Sequence, residues 1–413
     1  PEFPAHGLAA FQGTQRDAVS EPMSSIHFPT PPPRAWPVVV AAAIAVAVLA
    51  IIGIRLHDAS AAPQQSSLAE PAAVISNPDI NLGSPTPDIL APDFRLRDQH
   101  GRMTSLAQFR GKVVVLAFID SHCTTICPLT TQSMVDALRL LGPAADKVQL
   151  VGVDANPLAT RIADVAAYTR AHGMQNRWRF VTGPLTQLQQ VWRNYHVYVA
   201  AVHNDIDHTP VIYLIGRHGH ERRIYITQMS YAGVTQQAEL LAEGISHLLP
   251  GDPPLARRIS LRYLKPDLPS KAVHLYGPNG KTVTLGPSHP HLALFFAGWL
   301  KESGRLPAKL AVLDQYAATA HQKGWPAPVA VNELPTEVSP TAGRRLAASL
   351  ASKLGTPIVE DTDGQLADGY QVQDLPWFAL TSNTGRILWQ HDGWLSAAAL
   401  DQQVSTALEK QGS

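Results

Sequence analysis

At 413 residues the chain is longer than one ordinary domain, and typical domain sizes point to two folded units plus flanking segments. Lys+Arg and Asp+Glu each number 33, so the formal net charge is zero with histidine neutral; without a like-charge block, nothing supports a nucleic-acid surface. Only two cysteines are present, which excludes a multi-disulfide scaffold and leaves one local pair, either a structural disulfide bond or a pair that does chemistry.

The chain opens at Pro1, and Met23 lies a short spacer before an apolar run; residues 1–22 receive no function, and 1–35 reads as a disordered segment. From Trp36 to Ile54 there is no charge, only Val-, Ala- and Ile-rich sequence bounded by Arg34 and Arg55, long enough to span a bilayer. We read 36–56 as a transmembrane helix. Arg16 and Arg34 on its N-terminal side outnumber Arg55 beyond it, which places the N-terminus in the cytoplasm and the rest in the periplasm, as a single-pass protein of a bacterial inner membrane. A cleavable signal peptide, with Ala59-Ser60-Ala61 as its processing site, is the alternative, although the run exceeds the usual apolar core of about 7–15 residues. Both readings export the remainder of the chain. Residues 57–88 are mostly Ala, Ser, Pro, Gln and Asn without apolar periodicity, the composition of a flexible linker.

Folded sequence is expected from Pro92. Phe94 to Arg97 alternates, Asp98-Gln99-His100-Gly101 has turn composition and Met103 to Leu106 resumes, a small hairpin. Lys112 to Asp120 is a nearly continuous apolar run, the pattern of a strand buried on both faces. After the cysteines, Leu129 to Leu141 reads as a helix stopped by Gly142-Pro143, Val148 to Val153 as a second buried strand, and Ile162 to His172 as a helix closed by Gly173. Leu185 to Tyr195 is a further helix, and Val211 to Ile215 and Arg223 to Tyr225 are strands. Alternation of this kind implies an α/β fold with a mixed sheet.

The second half repeats the outline, and internal repeats bear strongly on architecture. Ala272 to Lys281 parallels the first hairpin, and Leu292 to Trp299 parallels the buried strand. Tyr370-Gln371-Val372 followed by Leu375 to Leu380 parallels Tyr195-His196-Val197 followed by Thr209 to Leu214. We therefore expect one unit over 89–250 and a second over 251–413.

Several segments of the first half resemble the SCO/SenC family: Pro92-Asp93-Phe94, the Asp98 to Leu106 turn segment, Phe109-Arg110-Gly111-Lys112, Cys123-Thr124-Thr125-Ile126-Cys127-Pro128, Val151 to Asp154, Trp178 to Gly183, and Asp207-His208-Thr209 before Tyr213-Leu214-Ile215. The similarity runs from about residue 88 to 250 and departs from the family at Asn156-Pro157-Leu158. It implies a thioredoxin-like fold, a copper ion held by Cys123, Cys127 and His208, and a role in cytochrome c oxidase assembly with a copper-receiving oxidase subunit as partner. The second half is similar, more generally, to thioredoxin or TlpA-type domains. Where these carry Trp-Cys-x-x-Cys, this chain has Trp299-Leu300-Lys301-Glu302-Ser303, and Pro376 stands at the position of the fold's cis-proline. The expected architecture is thus two thioredoxin-like domains behind an N-terminal transmembrane helix, the second lacking the thiols.

Two thiolates and an imidazole form a soft donor set suited to copper or zinc. Cys127 precedes Pro128, a residue favoured in the first helical turn, so Cys127 is expected at a helix N-terminus, where the dipole favours thiolate. His208 is expected beside a cis-Pro210. His122 or His203 is an auxiliary contact on a minority reading, with His196, His218 and His220 in solvent. Asp120, Asp154 and Asp207 read equally well as supports of the site or as caps and turns. The expected function is a membrane-anchored copper chaperone without turnover; the alternative is a thiol–disulfide oxidoreductase using Cys123 and Cys127 as its redox pair. A peroxidase lacks its motif. The second unit is expected to be a docking or regulatory module whose deletion leaves copper affinity intact.

Overall fold

Buried apolar strands decide the layout. In the computed structural model, residues 81–203, 205–256, 268–269, 271–278, 280–303 and 305–412 are described, all within one compact unit, Pro71–Ser413. The apolar run at 36–56 lies outside the described residues. Among the helices of the described residues, none is long and apolar enough to cross a membrane.

The first half is built on β4 (Val113–Ile119), every residue of which is buried. A strand enclosed on both faces cannot alternate in polarity, which is why it reads as a continuous apolar run. It pairs in parallel with β5 (Val148–Asp154), and β5 in turn with β6 (Trp178–Val181). On its other edge it pairs antiparallel with β9 (Val211–Ile215), followed by β10 (Glu221–Ile226). Ser84–Pro85, here β1, closes the edge against β10; it falls inside the stretch read as linker, so ordered pairing begins before residue 89. The hairpin β2 (Arg95–Arg97) and β3 (Met103–Ser105) lies where alternation placed it. Helices α1 (Ile126–Leu141) and α2 (Ile162–Ala171) connect the parallel strands, and α3 (Leu185–Asn194) follows β6. A second hairpin, β7 (Val199–Val202) and β8 (Asp205–His208), and a helix α4 (Gly233–Ser246) were not anticipated. This is a mixed α/β fold of the thioredoxin type.

The second half has a hairpin, β11 (Val273–Tyr276) with β12 (Thr282–Leu285), and a sheet centred on β13 (His291–Phe296). Helices α5 (Leu306–Leu310) and α6 (Val312–Lys323) lead to β14 (Ala327–Glu333), and α7 (Pro340–Ala351) leads to β15 (Ile358–Asp361). After α8 (Gln365–Gly369) come β16 (Trp377–Thr381), β17 (Ile387–Asp392) and α9 (Ala397–Gly412). The order β15-β14-β13-β16-β17, with β13, β14 and β15 parallel and the rest antiparallel, repeats β6-β5-β4-β9-β10. The repeat extends to a helix end. His196 and Gln371 both take φ of 54° just after a helix. Val197 N–H then bonds the Trp192 carbonyl, as Val372 N–H bonds that of Ala367. These are the 6→1 bonds of a Schellman motif.

The halves share a core. Leu129, Ala171, Tyr231 and Val234 of the first half belong to the apolar cluster around β13 and β14. The His172 ring lies 5.2 Å from that of Trp299, and Arg139 Nη2 donates to the Val338 carbonyl at 2.5 Å. Asp368 accepts from Ser230 Oγ (2.7 Å) and from the backbone N–H groups of Tyr231 (2.7 Å) and Ala232 (3.1 Å), so a carboxylate of one half neutralises the open donors at the start of α4 in the other. Gly173, with φ of +63°, passes so close to Val338 that a Cβ would strike it; only glycine fits both constraints.

Candidate metal centre

The cysteines sit where β4 turns into α1. Cys127 is the second residue of the helix and Cys123 precedes it on the approach. Cys123 Sγ accepts from the Cys127 backbone N–H at 3.4 Å, taking the capping role that the Thr125 side chain does not fill. Thr125 Oγ1 lies 3.2 Å from the same sulfur. These contacts hold the Cys123 thiol below the usual range, led by the interaction with Cys127 and opposed by burial. Burial pushes the Cys127 thiol well above that range. Both cysteines are free.

His208 is the last residue of β8, opposite Val199. Its Nε2 lies 3.4 Å from Cys127 Sγ, while Nδ1 lies 3.2 Å from the Thr209 carbonyl oxygen. A carbonyl can only accept, so this contact places the proton on Nδ1 and leaves the Nε2 lone pair facing the sulfur. Burial lowers the imidazole pKa, favouring the neutral form that binds metals. Cys127 is thus the hub, touching both Cys123 and His208. Among the described residues no three His, Cys, Asp or Glu side chains are already gathered into a closed metal-holding group; the donors meet in pairs. Their softness and the fixed tautomer fit a copper or zinc ion.

Thr209–Pro210 is not cis: among the described residues the cis peptide is Leu375–Pro376. The expectation at Pro376 holds and the one at Pro210 is corrected, because the β7–β8 hairpin, rather than a proline turn, delivers His208. Neither auxiliary histidine reaches the sulfurs. His122 Nε2 is directed to Asp164 Oδ1 at 3.9 Å, and His203 lies exposed between β7 and β8. His196 and His218 are exposed, whereas His220 Nδ1 lies 2.8 Å from Asp88.

The acidic residues separate. Asp120 is buried and accepts from the His122 backbone N–H at 2.8 Å and Asn156 Nδ2 at 2.6 Å; its charge bears on Cys123, Cys127 and His208. Asn156, where the chain departs from the family pattern, therefore holds an acid beside the thiols. Asp154 is fully buried, accepts from Thr182 Oγ1 at 2.7 Å, and is pushed up to about 8 by burial; it supports the strand end. Asp207 is exposed. Thr125 and the Thr209 carbonyl are partners that sequence reasoning passed over.

The SCO1/SenC family profile matches residues 83–243. The chain is 34% identical over 135 residues to "Protein SCO2 homolog, mitochondrial" of Bos taurus, covering 31% of this chain and 50% of that protein. It is 31% identical over 161 residues to the Mus musculus protein of the same description, covering 37% and 60%. It therefore spans about half the length of the curated relatives it matches. Among solved structures, "Structure of Bradyrhizobium japonicum ScoI with copper bound" is similar at 24% identity and a TM-score of 0.34, over 39% of this chain and 100% of that one. The segment that holds both cysteines and the histidine, residues 83–243, is thus the part of this chain that matches the SCO1/SenC family model.

Proposed function

We propose that the chain is a copper chaperone. Cys123, Cys127 and His208 bind the ion, and the protein delivers it to a copper-receiving subunit during assembly of cytochrome c oxidase. One observation carries this reading: Cys127 Sγ meets His208 Nε2 at 3.4 Å while the other ring nitrogen is engaged by Thr209. A histidine serving only as a strand-end residue has no need of an oriented lone pair aimed at a thiol. Three ligands leave a position open to a donor or acceptor partner, which suits transfer better than permanent storage. The SCO1/SenC match over residues 83–243 supports the choice of copper over zinc.

The anchor at 36–56 would hold the protein in a bacterial inner membrane with both halves in the periplasm. We read the second half as a degenerate thioredoxin-like domain, on the shared strand order and the Schellman pair. Titrating copper into the purified chain tests the function. Stoichiometric binding with a thiolate-to-copper absorption band supports it, and no binding rejects it.

A second reading has its own support. Cys123 is held low and Cys127 high, the asymmetry of an attacking and a buried thiol in a dithiol oxidoreductase. That activity would need both cysteines and tolerate His208→Ala.

A further inference from the structure

We propose that Asn156 is a positioning residue for Cys123: through Asp120 it fixes the turn that presents the outer thiol. This rests on the metal site just described and adds to it a side chain from the end of the neighbouring strand.

β4 and β5 run in parallel as far as Ile119 and Asp154, and the last backbone bond between them joins the Ala155 N–H to the Ile119 carbonyl at 2.9 Å. Beyond it the two chains part, one toward the cysteines and the other toward α2. The Asn156 side chain bridges the gap: its Nδ2 donates to Asp120 Oδ1 at 2.6 Å, and both residues are buried. The same Oδ1 accepts from the His122 backbone N–H at 2.8 Å, and the Asp120 carbonyl accepts from the Cys123 N–H at 3.2 Å. One residue thus closes the turn that ends on Cys123, and one amide holds that residue to the end of β5. Asn156 is itself fixed. Its N–H donates to Asp154 Oδ1 at 3.1 Å, and its Oδ1 accepts from the Leu158 N–H at 2.8 Å. An amide suits the place because it donates to Asp120 and accepts from Leu158 with opposite ends; a carboxylate would face a second carboxylate. The other tie on the turn is weak: His122 Nε2 lies 3.9 Å from Asp164 Oδ1 with most of its side chain exposed, and exposed pairs of this kind contribute little. The second half pins its corresponding turn with other residues. Just after β13 the Gly298 N–H donates to Glu337 Oε1 at 2.5 Å, a side chain reaching back from beyond the end of β14. In both halves the turn leaving the central strand is held from the chain that follows the next strand, but only in the first does that turn lead to a thiol.

The test uses the full chain, metal-free, with Asn156→Ala, Asp120→Ala, the double variant and Asp120→Asn. Hydrogen exchange is followed at the His122 and Cys123 amides, which bond Asp120, with the Val372 amide of the second half as reference. Asn156→Ala and Asp120→Ala should each speed exchange at the two turn amides about three- to tenfold and leave Val372 unchanged, as local opening does. The double variant should be no faster than Asp120→Ala alone, because residues in one network are not additive. Asp120→Asn should keep wild-type protection of both amides, since its side-chain oxygen still accepts from His122 and Asn156. Unchanged exchange at the turn in Asn156→Ala, equal acceleration at Val372, or effects that add in the double variant would overturn the proposal. If Asn156→Ala does not fold, Asn156→Ser, one bond shorter than the span to Asp120 requires, is held to the same criteria. Copper affinity of the wild type and of Asn156→Ala, read from the thiolate absorption band, is measured alongside. A fall of about tenfold is expected, the lower end of what partners outside the ligand set contribute; faster exchange with unchanged affinity would overturn the role at the site. A wild type that binds no copper but shows the exchange pattern rejects the chaperone and keeps the positioning of Cys123; copper binding with a flat exchange pattern does the reverse.

Discussion

The two halves run the same strand order to different ends. After β4 the first half places Asp120, Cys123 and Cys127; after β13 the second places Gly298 and Trp299. Between the Schellman turn and the next sheet strand the first half inserts the β7–β8 hairpin that ends on His208, while the second has only residues 373–376. Where the first half gathers donors with partners, the second buries Glu333, with no exposure and no hydrogen-bond partner on either oxygen. The comparison separates scaffold from chemistry: one strand order carries the cysteine–histidine contacts in the first half and a packing surface in the second.

The largest expected effect comes from removing the hub. Cys127→Ser should abolish copper binding outright, because it removes the sulfur that meets His208 Nε2; absorption titration reads it, and retained stoichiometric binding would break the contrast between the halves. Next is the seam. Trp299→Ala should cost about 3–5 kcal/mol, the usual range for truncating a buried tryptophan, and denaturant unfolding should show both halves melting earlier together. Loss confined to the second half would show that the halves are independent.

Glu333→Gln should stabilise the protein, increasingly so with rising pH. Burial raises the Glu333 pKa well above 4.5. The unfolded carboxyl loses its proton near 4.5 and the folded one only at higher pH, so across that window folding takes up a proton and stability falls as pH rises. Glutamine removes that slope. Melting temperatures of the two proteins should converge toward pH 4 and separate toward pH 8; parallel curves would contradict the assignment. Asp207→Asn, at an exposed carboxylate, should be the smallest change, within about 0.5 kcal/mol in stability, visible only as slower, salt-sensitive association with a charged partner.

What the sequence disclosed was local. The strand at Val113 to Ile119, the helix after Pro128 and the cysteine pair each lie within one short window, and the repeated Tyr-x-Val segments mark helix ends whose bonding needs no distant partner. What stayed hidden depends on residues far apart in the chain. At the start of α4 Ser230 takes the Gly233 N–H, but the N–H groups of Tyr231 and Ala232 are taken by Asp368 from the other half. Leu129 reads as an ordinary core residue of its own helix, yet its neighbours lie in the second half. The β7–β8 hairpin is half exposed, and Val-Ala-Ala-Val offers no polar alternation to announce it, so His208 was placed beside a proline turn. Pro210 and Pro376 look equivalent in sequence, and only the structure distinguishes trans from cis.

The most direct test is copper titration of residues 71–413 with His208→Ala beside the wild type, following the thiolate-to-copper band. A copper chaperone of this kind binds one copper tightly per chain in the wild type and loses it in the variant; binding indifferent to His208 would contradict that and leave a dithiol protein in its place.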